Sequence, residues 1–101
     1  MPKMDIVVPH TLGREEALRR VKGSRSTIEG FEAANGKVVE EQWGDNPDCR
    51  LVIELMGGRV AMEVVVGDTE VTVHVELPLG LIFIQGIVRA RMEEGLKQLL
   101  A

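Results

Sequence analysis

The chain has 101 residues, 45% of them hydrophobic but only 3% aromatic, with one cysteine and a net charge of −4. This length suits a single domain over residues 1–101 that buries roughly 60–70% of its unfolded surface, and a lone cysteine excludes an internal disulfide or a thiolate zinc site. The aromatics are Phe31, Trp43 and Phe83, so the core must be aliphatic. Residues 38–77 hold nine acids against Arg50 and Arg59, while residues 11–31 hold five bases against three acids. An acidic central region with few rings excludes a nucleic-acid platform, which needs a basic groove and stacking side chains. There is no signal-like N-terminal pattern and no apolar run of about 18 residues, which leads to the expectation of a cytoplasmic protein without a transmembrane segment.

The first element is a short strand at residues 5–8, DIVV. Pro9 closes it, and "HTLGREEALRRV" then reads as the entry to a helix running from Arg14 to about residue 33. Gly13 is one acceptable N-cap, with Glu16 at the third helical position and Leu12 placed to staple against Ala17. Thr11 is the rival cap, with Glu15 and Glu16 near the positive helix end. Gly23 interrupts the pattern and "STIE" at 26–29 has the form of a capping box, so two short helices are the alternative to one bent helix. Asn35-Gly36 ends the helical stretch.

Residues 37–43, 49–56, 59–66 and 70–77 alternate as four strands. A turn at Gly57-Gly58 sets Leu55 opposite Val60, Ile53 opposite Met62 and Leu51 opposite Val64. A turn at Asp68-Thr69 sets Val66 opposite Val71, Val64 opposite Val73 and Met62 opposite Val75. Both registers collect one apolar set on one face. The other face carries charges together with Val52, Met56, Ala61 and Val65, apolar residues that a self-association surface would explain.

"PLGLIFIQGIVRARMEEGLKQLLA" reads as a closing helix from Leu79. Its stripe is Ile84, Val88, Met92 and Leu99, with Leu81 and Leu96 at the edges, and its first half is apolar nearly all round. That pattern means burial on two sides or an outward apolar contact through Leu79, Leu81, Ile82 and Phe83. The resulting fold class is α+β in the order β-α-β-β-β-β-α, an antiparallel sheet with helices packed on one face, similar to a shortened helix-grip arrangement.

Acid–base chemistry at neutral pH would draw on His10, beside Glu15 and Glu16, or on His74, which faces Glu63 across two strands. An ordinary cross-strand pair accounts for His74 equally well. Cys49 falls on the inward face as inert packing, and Trp43 at a strand end suits the edge of the core. His10 has no evident partner. No phosphate-loop, nucleophile-elbow, dinucleotide or zinc-helix pattern occurs, so no catalytic residue, metal or cofactor is assigned.

"PHTLGREEALRR" resembles the signature of the polyhydroxyalkanoic acid system (granule-region) family of small bacterial proteins. The matching positions are His10, Leu12, Gly13, Glu16, Ala17 and Arg20, and the layout continues through the Gly-rich hairpin to the closing helix. "KGSRSTIEG" departs from the more continuous charged helix of that pattern. The resemblance implies a non-enzymatic protein of a storage-polyester system, touching an apolar granule surface or a granule protein through residues 79–88, helped by Arg14, Arg19 and Arg20. The alternatives are a carrier holding an apolar ligand between sheet and last helix, a homodimeric structural protein, and an enzyme using His10 or His74.

Overall fold

The computed structural model describes residues 3–24 and 36–101. The elements are β1 (Lys3–Pro9), α1 (Arg14–Gly23), β2 (Lys37–Trp43), β3 (Cys49–Leu55), β4 (Gly58–Val66), β5 (Glu70–Glu76), a 3-10 helix (Leu79–Ile84) and α2 (Gln85–Leu100). The strands form one sheet in the order β1-β5-β4-β3-β2, with every neighbouring pair antiparallel. The first strand, whose place the alternation leaves open, therefore lies at the edge beside β5.

Period-two alternation decides the faces. Met4, Ile6 and Val8 point inward from β1, Val71, Val73 and Val75 from β5, and Val60, Met62, Val64 and Val66 from β4, while β3 adds Cys49, Leu51, Ile53 and Leu55. α1 packs against β4, and α2 packs against β1 and α1, all on this face. The architecture is thus α+β, with helices on one side of an antiparallel sheet.

The β4–β5 register is the expected one, Val66 facing Val71, Val64 facing Val73 and Met62 facing Val75. The β3–β4 register differs by two residues: Ile53 faces Val60, Leu51 faces Met62 and Cys49 faces Val64. The turn is Met56-Gly57, at φ 52° and 80°, instead of Gly57-Gly58. A two-residue slip keeps every side chain on its face, so the hydrophobic pattern is blind to it. Gly58 is used differently. A Cβ there would lie 2.9 Å from Pro78 Cγ and 3.3 Å from Leu81 Cδ1, so its absence lets the hairpin end press against the 3-10 helix.

Two helix expectations need correction. α1 stops at Gly23 and Ser24 is extended (φ −95°, ψ 137°), so the helix does not run on through residue 24. Glycine is about 1 kcal/mol poorer than alanine in a helix, and the serine after it favours non-helical backbone. The 26–29 cap, Ile28, Phe31 and Asn35 lie outside the described residues. The last helix does not start as an α-helix either, since Leu79–Ile84 is 3-10, opened by the Leu81 N–H donating to Pro78 O at 2.9 Å. At three residues per turn this segment shifts the phase of the α-helical residues after it. Val88, Met92, Leu96 and Leu100 are buried, while Ile84 and Leu99 are only partly so.

The outer sheet face carries a row of polar residues across the strands. His74 faces Glu63 as expected, yet its Nδ1 pairs with Asp5 Oδ1 at 2.7 Å on the other side. Arg50 lies 3.5 Å from Glu63 and 3.8 Å from Glu40. Val7, Val39 and Val65 are exposed among these charges.

Met56 sits in the left-handed region, where asparagine is at ease and a long side chain is not. Met56→Asn is therefore expected to raise stability by about 0.5–1 kcal/mol, read as a higher urea midpoint at unchanged m-value.

Candidate functional site

Two groups of residues are candidates: the strand-to-helix junction that carries the signature, and the apolar residues of the 3-10 helix and α2. At the junction His10 is buried, with both ring nitrogens engaged. The Leu12 N–H donates to Nδ1 at 3.2 Å, which makes Nδ1 an acceptor and assigns the proton to Nε2, 3.0 Å from the Gly67 carbonyl. The His10 N–H donates to Thr69 O at 2.9 Å. His10 therefore ties the end of β1 to the β4–β5 turn, and neither nitrogen is free to act as a base.

Gly13 is the N-cap, at φ 79°, a conformation a side chain would strain, and this decides against Thr11. The expected reciprocal bond from Glu16 to the cap is not made. Glu16 instead accepts from Arg19 at 2.8 and 2.6 Å and from Arg20 at 2.8 Å. These hydrogen bonds, first Arg19 and then Arg20, hold its carboxyl down to about 2. Arg20 also donates to the carbonyls of Leu99 (3.1 Å) and Ala101 (2.9 Å), supplying donors and positive charge at the end of α2. Ala17 is fully buried and Leu12 packs against the core. The six signature positions thus join three elements: sheet end, α1 and the end of α2.

Two further residues complete the junction. Asp48 is buried; its Oδ2 accepts the Val66 N–H at 2.8 Å and its Oδ1 takes the Arg14 guanidinium. Asp68 Oδ1 accepts the Arg14 N–H at 3.3 Å. Nothing in the sequence singles out Asp48, where "GDNPD" is only a turn signal. Its partners stand 18 and 34 positions away.

The second group is on the surface. Leu79 (74% exposed), Ile82 (46%), Phe83 (68%) and Ile87 (62%) project outward. Leu81, expected among them, is 4% exposed and belongs to the core, on the face of Val88 and packed over Gly58 beneath. Ile87 and the exposed Met56 join this end of the molecule unexpectedly; the outward face reads 79, 82–83, 87, a helical spacing visible in the sequence. Leu79, Ile82, Phe83 and Ile87 together expose on the order of 500 Å² of apolar surface, within the range of the largest patches on monomers.

A cavity of about 70 Å³ lies between sheet and helices, lined by Val21, Trp43, Cys49, Met62, Leu96 and Leu99 among others. Ligand pockets are typically 300–1,000 Å³, roughly, so this volume does not suit a lipid chain. Burial, with Glu41 and Asp48 nearby, pushes the Cys49 thiol up to about 11, which leaves it protonated and unreactive at neutral pH. Trp43 is more exposed than edge-of-core packing implies; its Nε1–H donates to Glu41 at 2.9 Å and Lys22 Nζ lies 5.8 Å from its ring centre. Among the described residues no cluster of histidines, cysteines and acids could hold a metal ion.

The junction makes two expectations measurable. His10→Ala strands the Leu12 N–H and the Gly67 carbonyl and should cost about 2–3 kcal/mol in urea unfolding, with His10→Asn, which keeps an acceptor near Nδ1, losing less. Glu16 has a lowered folded pKa, so the stability it contributes is present above its ordinary value of 4.5 and is lost as the pH falls toward 2. The gap between wild type and Glu16→Gln should accordingly close over that window in acid titrations followed by circular dichroism. Comparison with known proteins returns no similarity for this chain: no family model, no curated protein and no solved structure matches it.

Proposed function

We propose that the protein is a non-enzymatic component of a storage-polyester system that seats on an apolar granule surface through Leu79, Ile82, Phe83 and Ile87. The observation that carries this reading is the exposure of those four side chains above a core that does not need them. Leu81 and Val88, on the inward side of the same segment, supply the anchorage. Evolution toward solubility alone would put polar residues there, as it does at Arg91, Glu94 and Gln98 further along the helix. The polyester identity comes from the resemblance of "PHTLGREEALRR", and with it goes a cytoplasmic, granule-associated location. Among the described residues no helix is long and apolar enough to cross a membrane.

The roughly 500 Å² of apolar surface is comparable to the apolar part of the about 800 Å² that each side gives to a stable protein–protein interface, so the choice of a polymer surface rests on the resemblance and not on area. A polymer surface needs no complementary shape and accepts whatever apolar area is offered. The basic residues Arg19 and Arg20, which the resemblance adds as helpers, are committed to Glu16 and contribute less.

The test is co-sedimentation with polyhydroxyalkanoate particles. Phe83→Asp and Ile87→Asp should each weaken binding about tenfold or more, since burying such a side chain is worth about 1.5–3 kcal/mol, and both should keep the native circular dichroism spectrum. Leu81→Asp should unfold the domain. Wild-type affinity in a folded Phe83→Asp variant would remove the proposed contact, and capture only in the presence of other granule proteins would move it to a protein partner.

A further inference from the structure

The two edges of the sheet are not alike. β2, at one edge, is broken by a bulge between Val38 and Glu40, a defence against pairing with another chain; charged residues stand on both edges, Lys37, Glu40 and Glu41 on β2 and Lys3 and Asp5 on β1. β1, at the other edge, runs seven residues in regular register with β5, has no bulge, and keeps its proline for the last position. Its inward residues Met4, Ile6 and Val8 are all apolar, and Val7 on the outer face is half exposed. Among the described residues β5 is its one strand partner.

Backbone parity says which groups face the open side. The His10 N–H points to Thr69 at the β5 side, so residues 8, 6 and 4 point the same way. Lys3, Asp5 and Val7 therefore turn their N–H and C=O outward. Pro9 falls on that side too, where its missing N–H costs the β5 ladder nothing.

From this geometry we infer that β1 pairs antiparallel with β1 of a second copy about a two-fold axis at Ile6, joining two sheets into one continuous sheet. That register sets Asp5 opposite Val7 of the second copy and Lys3 opposite its Pro9. It forms about six backbone hydrogen bonds and puts no like charges directly opposite one another. Centring the pair on Asp5 would form as many bonds but would oppose two carboxylates; centring on Val7 would form fewer. The chain is complementary to itself in one register.

The axis of such a pair is perpendicular to the sheet, so both helix layers lie on the same side. The two patches of Phe83 and Ile87 then face one way, doubling the apolar area presented to a single surface. This consequence rests on the proposed surface contact; the edge pairing does not. Two linked patches bind with avidity that neither has alone.

Light scattering coupled to gel filtration should give the mass of a dimer, and hydrogen exchange should protect the Asp5 and Val7 amides although they point out of the monomer's sheet. Val7→Pro removes an outward donor, and Val7→Lys places a charge on the edge with the backbone intact. Both should give monomers with native circular dichroism and at least tenfold weaker binding to polyhydroxyalkanoate particles. If Val7→Pro unfolds, Val7→Lys decides. A wild type still monomeric at about 100 µM, where a pair of micromolar affinity would be almost wholly dimeric, would overturn the pairing. Persistent dimers in both variants would place the interface elsewhere, and folded monomers that bind particles as tightly as wild type would overturn the bivalence. A dimer whose Phe83→Asp form still binds particles would instead count against the surface contact and leave the edge pairing standing.

Discussion

A ten-residue helix cannot hold itself together in water, and the rest of this fold depends on fixing one. Nucleation is unfavourable enough that isolated helices below roughly 12–15 residues are marginal. α1 has ten residues and one fully buried side chain, Ala17, with Leu18 and Val21 partly buried against the core, so packing gives it only a narrow seam. Its position comes from polar contacts at both ends: His10, Asp48 and Asp68 at the N-terminal end, Glu16 and Arg20 on the side facing α2. Without α1 in place, the core face around β4 loses cover. The end of α2 loses the guanidinium that satisfies its last carbonyls.

The same contacts account for a motif rich in chemically capable residues. A histidine, two acids and several arginines within twelve positions look like a reaction centre. In three dimensions all but Glu15 are spent on a neighbour. His10 uses both nitrogens, Glu16 is shared between two guanidiniums, and Asp48, the buried carboxylate, is neutralised by Arg14. Side chains so committed suit a joint, and at His10 and Asp48 breaking a contact leaves a buried group unpaired. The apolar residues at 79, 82, 83 and 87 are the reverse case: they contribute little to holding the fold and stand free to meet something else.

Legibility in the sequence depends on which signals are periodic and which are single events. Alternation identifies the four strands from Lys37 to Glu76 and their inward faces, since period two survives any even slip. For the same reason it misplaces the β3–β4 hairpin by two residues; only the left-handed Met56 fixes that turn, and nothing about methionine announces it. The closing segment is recognisable as helical, and a 3.6-residue period already sets Leu81 seven positions before the buried Val88 on the inward face; that its first six residues turn in three leaves no mark in the pattern. Leu79, Ile82 and Phe83 can be found from the surplus of apolar residues around one helix. The partners of His10 cannot: Gly67 lies 57 positions away, and a backbone carbonyl leaves no mark in a sequence.

The position of the open edge relative to the apolar patch decides what kind of assembly this molecule can form. A pair joined face to face through the outer sides of the sheets would put its helices, and hence its two patches, on opposite outer surfaces. Such a pair would bridge two apolar particles and draw them together. That outer face also carries the row from Asp5 through Glu63 to Glu40, whose carboxylates would lose water on stacking. A pair joined at β1 leaves those charges hydrated and turns them away from the surface that the helices meet. Each particle so covered would present the acidic sheet face to solvent, and like-charged coats repel over a distance set by the ionic strength, about 10 Å at 0.1 M. Of the two arrangements, pairing at β1, the edge without a bulge, is the one that would keep the proposed apolar contact on one side and the charge on the other.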